Sequence, residues 1–481
     1  MIRGERAVEM HDLSVDGIAD GWVLAGGLLD QLATDAFGWL LDTDIAVAQE
    51  RLVHRSHTTR GEPVTLPVLL REWEGEAVWA SGRFAGAAGA GMRLIVPTDA
   101  EDWNRRLAVL TSGSGVYRDL AAAYLDERAR RDGALIELDR DTGFAPGLGA
   151  NLYAELLLDR GYAVAWLRKD EVRPPEGVNS VCSDDGRSWR VSHHSNVAYT
   201  LGLIELAQSQ IKELLGQLPA HSYLYGHSSG AMTARLVNLR PESNTSATGE
   251  TIVDGIIGDD TGAGLYLPSA LDADGEETVL VSEQSRGRFV PQIDVSRALY
   301  QPQAYLPLKR YFGEVIAERG LAGRYRHYEI AGVSHFDAGM AGRPDILDLG
   351  GLFGALWDAL DQWCSEGRNP PESRQGDRAV RLPEVAAPLG EWVAPNGGPF
   401  TVFRPFDGQP NLEDDRRARP TEAWQELALL ERGLTVDAAT YAGALAAAAA
   451  ELRRGRLYSA EAELWINANS KRLLAESGVQ P

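Results

Sequence analysis

The stretch Ser222-Tyr-Leu-Tyr-Gly-His-Ser-Ser-Gly-Ala231 decides the fold class of this chain. Its apolar run, Tyr223 to Tyr225, predicts a short buried strand, and the residues from Ala231 onward predict a helix. A turn this sharp between strand and helix would hold the central Ser228 in a strained backbone conformation. Neighbouring side chains must be absent at such a turn, a condition that the flanking Gly226 and Gly230 satisfy.

The order of strand, G-x-S-x-G and helix is that of the nucleophile elbow of α/β-hydrolases. Ser228 is therefore the candidate nucleophile, and the backbone amide of Ser229 is a candidate donor to an oxyanion. Upstream, a predicted strand runs directly into a glycine loop, and in this fold such a loop supplies a second amide donor. The candidates for that donor are Gly113, Ser114 and Gly115.

His335 is the candidate base among the chain's nine histidines. It follows a predicted strand, Arg324 to Ile330, in a loop of small residues before a long predicted helix. An imidazole titrates near neutrality, which suits it to take a proton from a serine hydroxyl. We expect His227 to pack beneath the elbow and His327 to be an ordinary strand side chain.

The acid that would orient the imidazole is less sharply defined by the sequence. The run Thr278 to Ser282 predicts the penultimate strand of the sheet, and Glu283 follows it directly, where this fold places its acid. Glu283 is therefore the favoured carboxylate. Asp294, Asp259 and Asp260 remain alternatives.

Several segments resemble a large family of bacterial α/β-hydrolase-domain proteins and, more distantly, the tannase and feruloyl esterase group. They are Leu158-Asp-Arg-Gly-Tyr-Ala-Val164, the elbow, Ser282-Glu283, Tyr325-Arg-His-Tyr-Glu-Ile-Ala-Gly-Val-Ser-His-Phe-Asp337, and the alanine-rich segment from Ala439 to Tyr458. The resemblance spans roughly residues 75 to 475 and implies Ser228 as nucleophile and His335 as base. In the family an aspartate stands two residues after the Ser-Glu, where this chain has Ser285.

The predicted fold class is α/β, namely an α/β-hydrolase fold with a mainly parallel central sheet flanked by helices. We expect an N-terminal helical extension over residues 1–63, the hydrolase core over 64–366, and a linker with a C-terminal helical appendage over 367–481. Two helices are predicted in the appendage, over 436–453 and 459–476. A further helix after His335 carries a core-facing stripe made of Leu352, Phe353, Leu356, Trp357, Leu360 and Trp363.

Composition restricts the partners of this 481-residue chain, whose formal net charge is −22. Nucleic acids and anionic membranes are disfavoured, because binding them needs clustered positive charge. The sequence shows no secretory signal and no apolar run of about 18 residues, so we expect a cytoplasmic protein. Neither a cofactor nor a metal site is predicted, and the sequence leaves a homo-oligomer open.

The favoured function is a serine hydrolase that cleaves a small-molecule carboxylic ester or lactone through an acyl-enzyme on Ser228. An acyltransferase or a cyclase could use the same serine, histidine and acid. A non-catalytic small-molecule binding protein that retains the pocket is the alternative from another class, because a fold does not fix its reaction.

Overall fold

The computed structural model of the chain describes residues 10–13, 21–24, 40–42, 48–54, 65–81, 84–111, 156–168, 180–182, 188–190, 194–239, 244–246, 248–261, 269–271, 277–279, 289–337, 347–398, 401–405 and 438–476. The strands in chain order are β1 (Met10–Leu13), β2 (Gly21–Leu24), β3 (Leu40–Asp42), β4 (Ala48–His54), β5 (Thr65–Ser81), β6 (Phe84–Pro97), β7 (Arg106–Thr111), β8 (Ala163–Arg168), β9 (Ser180–Cys182), β10 (Ser188–Arg190), β11 (His221–His227), β12 (Gly255–Asp259), β13 (Ser269–Leu271), β14 (Glu277–Val279), β15 (Gln292–Arg297), β16 (Tyr325–Ile330), β17 (Gly390–Val393) and β18 (Val402–Pro405).

The α-helices are α1 (His194–Leu215), α2 (Ser229–Leu239), α3 (Pro302–Glu318), α4 (Gly350–Glu366), α5 (Pro383–Ala386), α6 (Ala438–Arg454) and α7 (Ala460–Glu476). Within the ranges that the structure describes, none of these helices has the length and apolar character needed to cross a membrane.

A ten-stranded sheet forms the centre of the molecule, in the order β16-β15-β12-β11-β7-β8-β6-β5-β3, with β4 also paired to β5. The strands from β16 to β8 run parallel to their neighbours, and the pairs from β8–β6 outward are antiparallel. Strand β11 lies inside the parallel part, where Tyr225 is opposite both Leu110 and Ile257. The predicted α/β-hydrolase fold, with its mainly parallel sheet, is confirmed.

Helices cover both faces of the sheet, so its inner strands are buried on two sides, and β7, β8 and β12 are nearly continuous apolar runs. Along β11 the side chains alternate between the two faces: Tyr223 and Tyr225 join one hydrophobic cluster and Leu224 joins the other. The cluster around Leu224 includes residues of α1, α2 and α3. The cluster around the tyrosines includes residues of α4, α6 and α7.

Helix α4 packs its predicted stripe against the sheet, and all six stripe residues are buried. The helix ends at Gly367, whose φ of 71° lets its N–H reach the carbonyls of Gln362 and Trp363, a common way to end a helix. Trp357 lies edge-on to the ring of Tyr223, with the centroids 6.5 Å apart. The stripe therefore packs against β11 on the face of the sheet where Tyr223 and Tyr225 lie.

The two C-terminal helices lie where the alanine-rich sequence predicts them, as α6 and α7. They share a continuous hydrophobic cluster with α4, through residues such as Leu445, Tyr458 and Ile466. The amide of Ser459 also donates to the carbonyl of Gly351 in α4, at 2.9 Å. The helix pair thus completes the core on that face of the sheet. The proposed domain boundaries stay a prediction.

The predicted penultimate strand is wrong, because the strand in that position of the sheet is β15, not Thr278 to Ser282. Only Glu277–Val279 of the predicted region is described as a strand, and this β14 belongs to a separate antiparallel sheet with β9, β10 and β13. Along β15 polar residues alternate with Ile293 and Val295, a pattern typical of a strand with one exposed face. All of its residues are nevertheless buried.

The predicted helices in residues 1–63 are also wrong for the part of that range that the structure describes. Those residues form β1 to β4, and β3 and β4 pair with β5 at the edge of the central sheet. Short apolar runs do not separate a helix from a strand by periodicity alone. Pairing with a neighbouring strand decides the outcome here.

We predict opposite effects on stability for two glycine-to-alanine changes in helices. A Cβ on Gly351 would lie 2.5 Å from the Cβ of Ala462 and 2.7 Å from a ring carbon of Tyr458, so G351A should overpack the α4–α7 contact and cost about 1–3 kcal/mol. Gly443 in α6 has no atom within 4 Å of the same position, and G443A should gain about 0.5–1 kcal/mol. Thermal unfolding midpoints measure both, and a G351A variant as stable as G443A would contradict this packing.

Candidate active site

The turn after β11 places Ser228 in the left-handed region, with a φ of 57°. Its amide donates to the carbonyl of Asp259 at 2.9 Å, and its carbonyl accepts from the amide of Ala231 at 3.1 Å. These bonds fasten the turn to β12 on one side and to α2 on the other. Ser228 is 8% exposed. It follows β11 directly and so lies at the carboxyl end of the parallel strands.

Gly226 of the motif is required by the close approach of the backbone at this turn. A Cβ on Gly226 would lie 2.2 Å from the carbonyl oxygen of Gly230, a distance that no real side chain tolerates. The strand therefore meets the first turn of α2 backbone to backbone. The structure thus shows the crowding that the sequence pattern predicts.

His335 lies in the loop after β16, with its side chain 1% exposed. Its ring stacks on Tyr300, with the centroids 4.2 Å apart and the planes inclined by 25°. It also contacts the ring of His227, at a centroid distance of 4.5 Å. Because carboxyl ends of parallel strands meet at one edge of a sheet, β11 and β16 bring Ser228 and His335 to the same edge.

His227 connects the elbow strand to the histidine loop. Its Nε2 lies 3.0 Å from the backbone carbonyl oxygen of His335. A carbonyl can only accept, so Nε2 carries the proton and donates it. Burial, together with repulsion from His335 and Arg297, lowers the pKa of His227 well below its ordinary value, so the ring is neutral.

Asp260 is the carboxylate beside His335. It follows β12 directly, in a left-handed conformation with a φ of 47°, and its Oδ2 lies 2.5 Å from Nδ1 of His335. Burial opposes its ionisation, but the Lys309 ammonium and the His335 contact outweigh burial and hold the pKa of Asp260 far below its usual range. The carboxylate is ionised, so Nδ1 of His335 donates to it and Nε2 is left to accept a proton.

The other candidate acids differ in their surroundings. Asp294 lies within β15, where it pairs with Arg235 at 2.6 Å and accepts from the hydroxyl of Tyr325 at 2.8 Å. Asp259 accepts from Arg297 and from the hydroxyl of Tyr225, each at 2.6 Å. None of these contacts of Asp294 and Asp259 involves His335.

Glu283 lies outside the described residues, as do Gly113, Ser114 and Gly115. The strand that precedes the predicted glycine loop, β7, ends at Thr111, which is opposite Gly226 of β11. Ser229 is the first residue of α2. The roles of these residues in an oxyanion hole stay predictions.

His327 forms a serine–histidine pair of a different kind in β16. Its Nε2 lies 2.7 Å from Oγ of Ser296, and its Nδ1 lies 2.7 Å from the amide nitrogen of Gln375. An amide nitrogen only donates, so Nδ1 accepts and Nε2 donates to Ser296. This histidine therefore cannot withdraw the serine proton, and its place inside a strand agrees with the prediction.

Lys309 is not among the site residues that the sequence predicts, yet its Nζ lies 2.5 Å from Oδ1 of Asp260. A signal for it exists: in α3 the buried residues Lys309, Phe312 and Ile316 are spaced i, i+3 and i+7, so a lysine occupies the apolar stripe. Arg297, which pairs with Asp259 and also reaches Asp337 at 3.2 Å, carries no comparable mark in the sequence.

Residues near the β17–β18 hairpin hold the loop that carries His335. The amide of Ser334 donates to Oγ1 of Thr401 at 2.9 Å, and the hydroxyl of Ser334 donates to the carbonyl of Gly398. The amide of Gln301, next to Tyr300, donates to the carbonyl of Gly397 at 3.2 Å. The region after α4 is thus part of the support of the site.

Comparison with protein-family models and with the sequences of curated proteins gives no match. Among solved structures, an esterase from Rhizomucor miehei has a TM-score of 0.33 at 10% identity, covering 56% of this chain and 78% of its own. The rice cell wall degrading esterase LipA from Xanthomonas oryzae gives 0.34 at 11% identity, with 59% and 90% covered. LpqC, a poly(3-hydroxybutyrate) depolymerase from Bordetella parapertussis, gives 0.32 at 13%, with 62% and 90% covered.

These are distant likenesses, so the fold assignment rests on the chain's own sheet order and turn. Membership of the bacterial family suggested by the sequence motifs stays a prediction.

We predict that glycine stabilises the protein more than alanine does at position 228. The left-handed conformation of Ser228 costs a residue with a Cβ roughly 1–2 kcal/mol, and glycine avoids this cost. Part of the stability gained with glycine is offset by its larger entropy in the unfolded chain. S228G should therefore unfold at a higher temperature than S228A.

The matched control is Glu213, exposed in the helix α1. There the order should reverse, with E213A more stable than E213G by about 1 kcal/mol. A Ser228→Ala variant that is more stable than Ser228→Gly would contradict a strained turn.

Proposed function

We propose that this protein is a serine hydrolase that cleaves a carboxylic ester or lactone through an acyl-enzyme on Ser228. The observation that carries the proposal is the meeting of three elements at one sheet edge: a strained Ser228 after β11, His335 after β16, and a buried carboxylate, Asp260, bonded to that histidine. A hydroxyl needs a base to become a nucleophile, and the base needs a fixed tautomer.

The proposed reaction has two stages. Nε2 of His335 takes the proton of Ser228 as its oxygen attacks the acyl carbon, and the imidazolium then gives that proton to the leaving alcohol. Water repeats the sequence on the acyl-enzyme, with His335 again as the base. Asp260 stabilises the imidazolium in both stages without being protonated itself.

The oxyanion of each tetrahedral intermediate needs donors that are already in position. The amide of Ser229, at the N-terminus of α2, is the first proposed donor, and an amide among Gly113 to Gly115 is the second. Loss of one such donor typically costs roughly 3 kcal/mol of barrier. The N-terminal end of α2 adds a favourable dipole toward the developing charge.

Asp260 replaces Glu283 as the acid in this proposal. A direct contact between Asp260 and Nδ1 of His335 at 2.5 Å satisfies the geometric requirement. The case for Glu283 rested on a penultimate strand ending at Ser282, and that position of the sheet is occupied by β15.

The proposal is tested by labelling the protein with a fluorophosphonate probe. The wild-type protein should be labelled at one serine, and S228A should not be labelled. S229A, which changes the neighbouring hydroxyl of the same motif, should keep the label. Equal labelling of S228A and wild type would overturn the assignment of the nucleophile.

We predict that D260N lowers kcat for a p-nitrophenyl ester by roughly 10³- to 10⁴-fold, because asparagine can present its NH₂ to His335 and stabilise the wrong tautomer. The effect should fall on kcat more than on KM, since no bond to the substrate is removed. E283Q should change kcat by less than about tenfold. The reverse order of the two variants would assign the acid to Glu283.

We also predict that the acid limb of the kcat/KM profile has its midpoint below pH 6.5, the ordinary histidine value. Burial lowers the pKa of His335 despite the opposing effect of Asp260, and the base acts only when it is neutral. Activity should thus rise as pH increases through a lowered pKa and then level off. The free-enzyme pKa is read from kcat/KM; a midpoint above 6.5 would contradict this environment.

A further inference from the structure

Lys309 is a buried cation with no place in the proposed chemical steps. It lies in α3 with its side chain fully buried, and its Nζ is 2.5 Å from Oδ1 of Asp260. The ring of Tyr305, one turn earlier in the same helix, lies 5.8 Å from Nζ. Burial of an ammonium group costs several kcal/mol of desolvation free energy unless the charge is paired. The position of Lys309 is therefore explained by its pairing with Asp260 and not by packing alone.

Lys309 helps to fix Asp260 in one orientation. Oδ1 of Asp260 accepts from Nζ of Lys309 and from the backbone amide of Arg297, the latter at 3.0 Å. Its Oδ2 faces Nδ1 of His335. Both oxygens are engaged, so the carboxylate cannot rotate without breaking at least two charge-assisted contacts.

The charges around this carboxylate belong to one buried cluster. Arg297 pairs with Asp259 and Asp337, which gives two cations, Lys309 and Arg297, against three carboxylates. With all three carboxylates ionised, the formal charge of the cluster is −1 while His335 is neutral and zero once His335 is an imidazolium. Burial raises the pKa of Asp259 to about 6, so protonation of this carboxyl at lower pH makes both values more positive by one. Removing Lys309 makes both values more negative by one.

Among the described residues, the remaining histidines and carboxylates near Lys309 and His335 are neutral or paired with an arginine. Burial lowers the pKa of His327 to about 4 and lowers that of His227, so neither carries charge near neutral pH. Asp294 is paired with Arg235, and Glu329 is paired with Arg310. These groups leave Lys309 as the direct counter-charge of Asp260.

We propose that Lys309 is a positioning residue that holds Asp260 ionised in a single orientation and sets the pH at which His335 becomes a competent base. This proposal rests on the proposed serine hydrolase function, since it assigns a role within the same site. Lys309 contacts Asp260 and acts on the reaction only through Asp260 and His335.

The sign of the effect follows from the charge. A cation near His335 disfavours the imidazolium, so loss of Lys309 should raise the pKa of the Asp260–His335 pair. A charge within a few ångströms shifts a pKa by roughly one unit or more. The acid limb should therefore move to higher pH by about one unit, while substrate binding should change little, because the Lys309 side chain is fully buried.

The experiment measures the rate of inactivation by a fluorophosphonate from pH 4 to 9, for wild type and for K309M, K309Q and K309R. Lys212, exposed in α1, provides the matched control K212Q, which removes the charge of a lysine at the protein surface. Circular dichroism and thermal unfolding at each pH establish that the variants are folded.

The expected result is a midpoint raised by about one pH unit in K309Q and K309M, and a wild-type midpoint in K309R and K212Q. An unshifted midpoint in a folded K309Q would overturn the role of Lys309. A shift in K309R as large as that in K309Q would also overturn it. Either result would leave the hydrolase proposal intact. Failure of both uncharged variants to fold would assign Lys309 to stability alone and also overturn its proposed role. Absence of labelling in wild type at every pH would instead refute the hydrolase function.

Discussion

The site depends on a constraint at the end of β12, where Asp259 and Asp260 bury two successive carboxylates with no exposure to solvent. An unpaired buried ion costs several kcal/mol, so this edge of the sheet is stable only if cations reach it. Arg297 comes from the end of β15 and Lys309 from α3. The mutual positions of these three elements are fixed by that requirement. Asp260 then offers its remaining oxygen to His335, which places the histidine loop as well.

Strand β11 connects this charged edge to the rest of the core through its two tyrosines. The hydroxyl of Tyr225 donates to Asp259 at 2.6 Å, near the site, whereas that of Tyr223 donates to Asp361 of α4 at 2.5 Å. The rings between these polar ends pack against Trp357. The strand that carries Ser228 is therefore held by hydrogen bonds at two levels and by aromatic packing between them. A rigid strand is what a strained turn at its end requires.

Local sequence patterns predicted the elbow, the position of His335 after a strand, the stripe of α4 and the two C-terminal helices. These features share a physical cause: each depends on residues close together in the chain, through periodicity or through the absence of a Cβ at Gly226 and Gly230. The strand β15 was not predicted, because Gln292, Asp294, Ser296 and Arg297 are residue types that are mostly exposed rather than fully buried. Each is buried because a partner from elsewhere satisfies it, such as Asn238 for Gln292 and Arg235 for Asp294.

The sequence by itself therefore determined the fold class and Ser228 as the central residue of the turn, and it predicted His335 as the histidine at the same edge of the sheet. Only the tertiary structure decided which carboxylate lies beside that histidine. Asp259 and Asp260 are adjacent in the chain, yet one turns to Arg297 and the other to His335 and Lys309. No local pattern separates them, because the choice is made by charges that β15, α3 and the loop after β16 bring from distant parts of the chain.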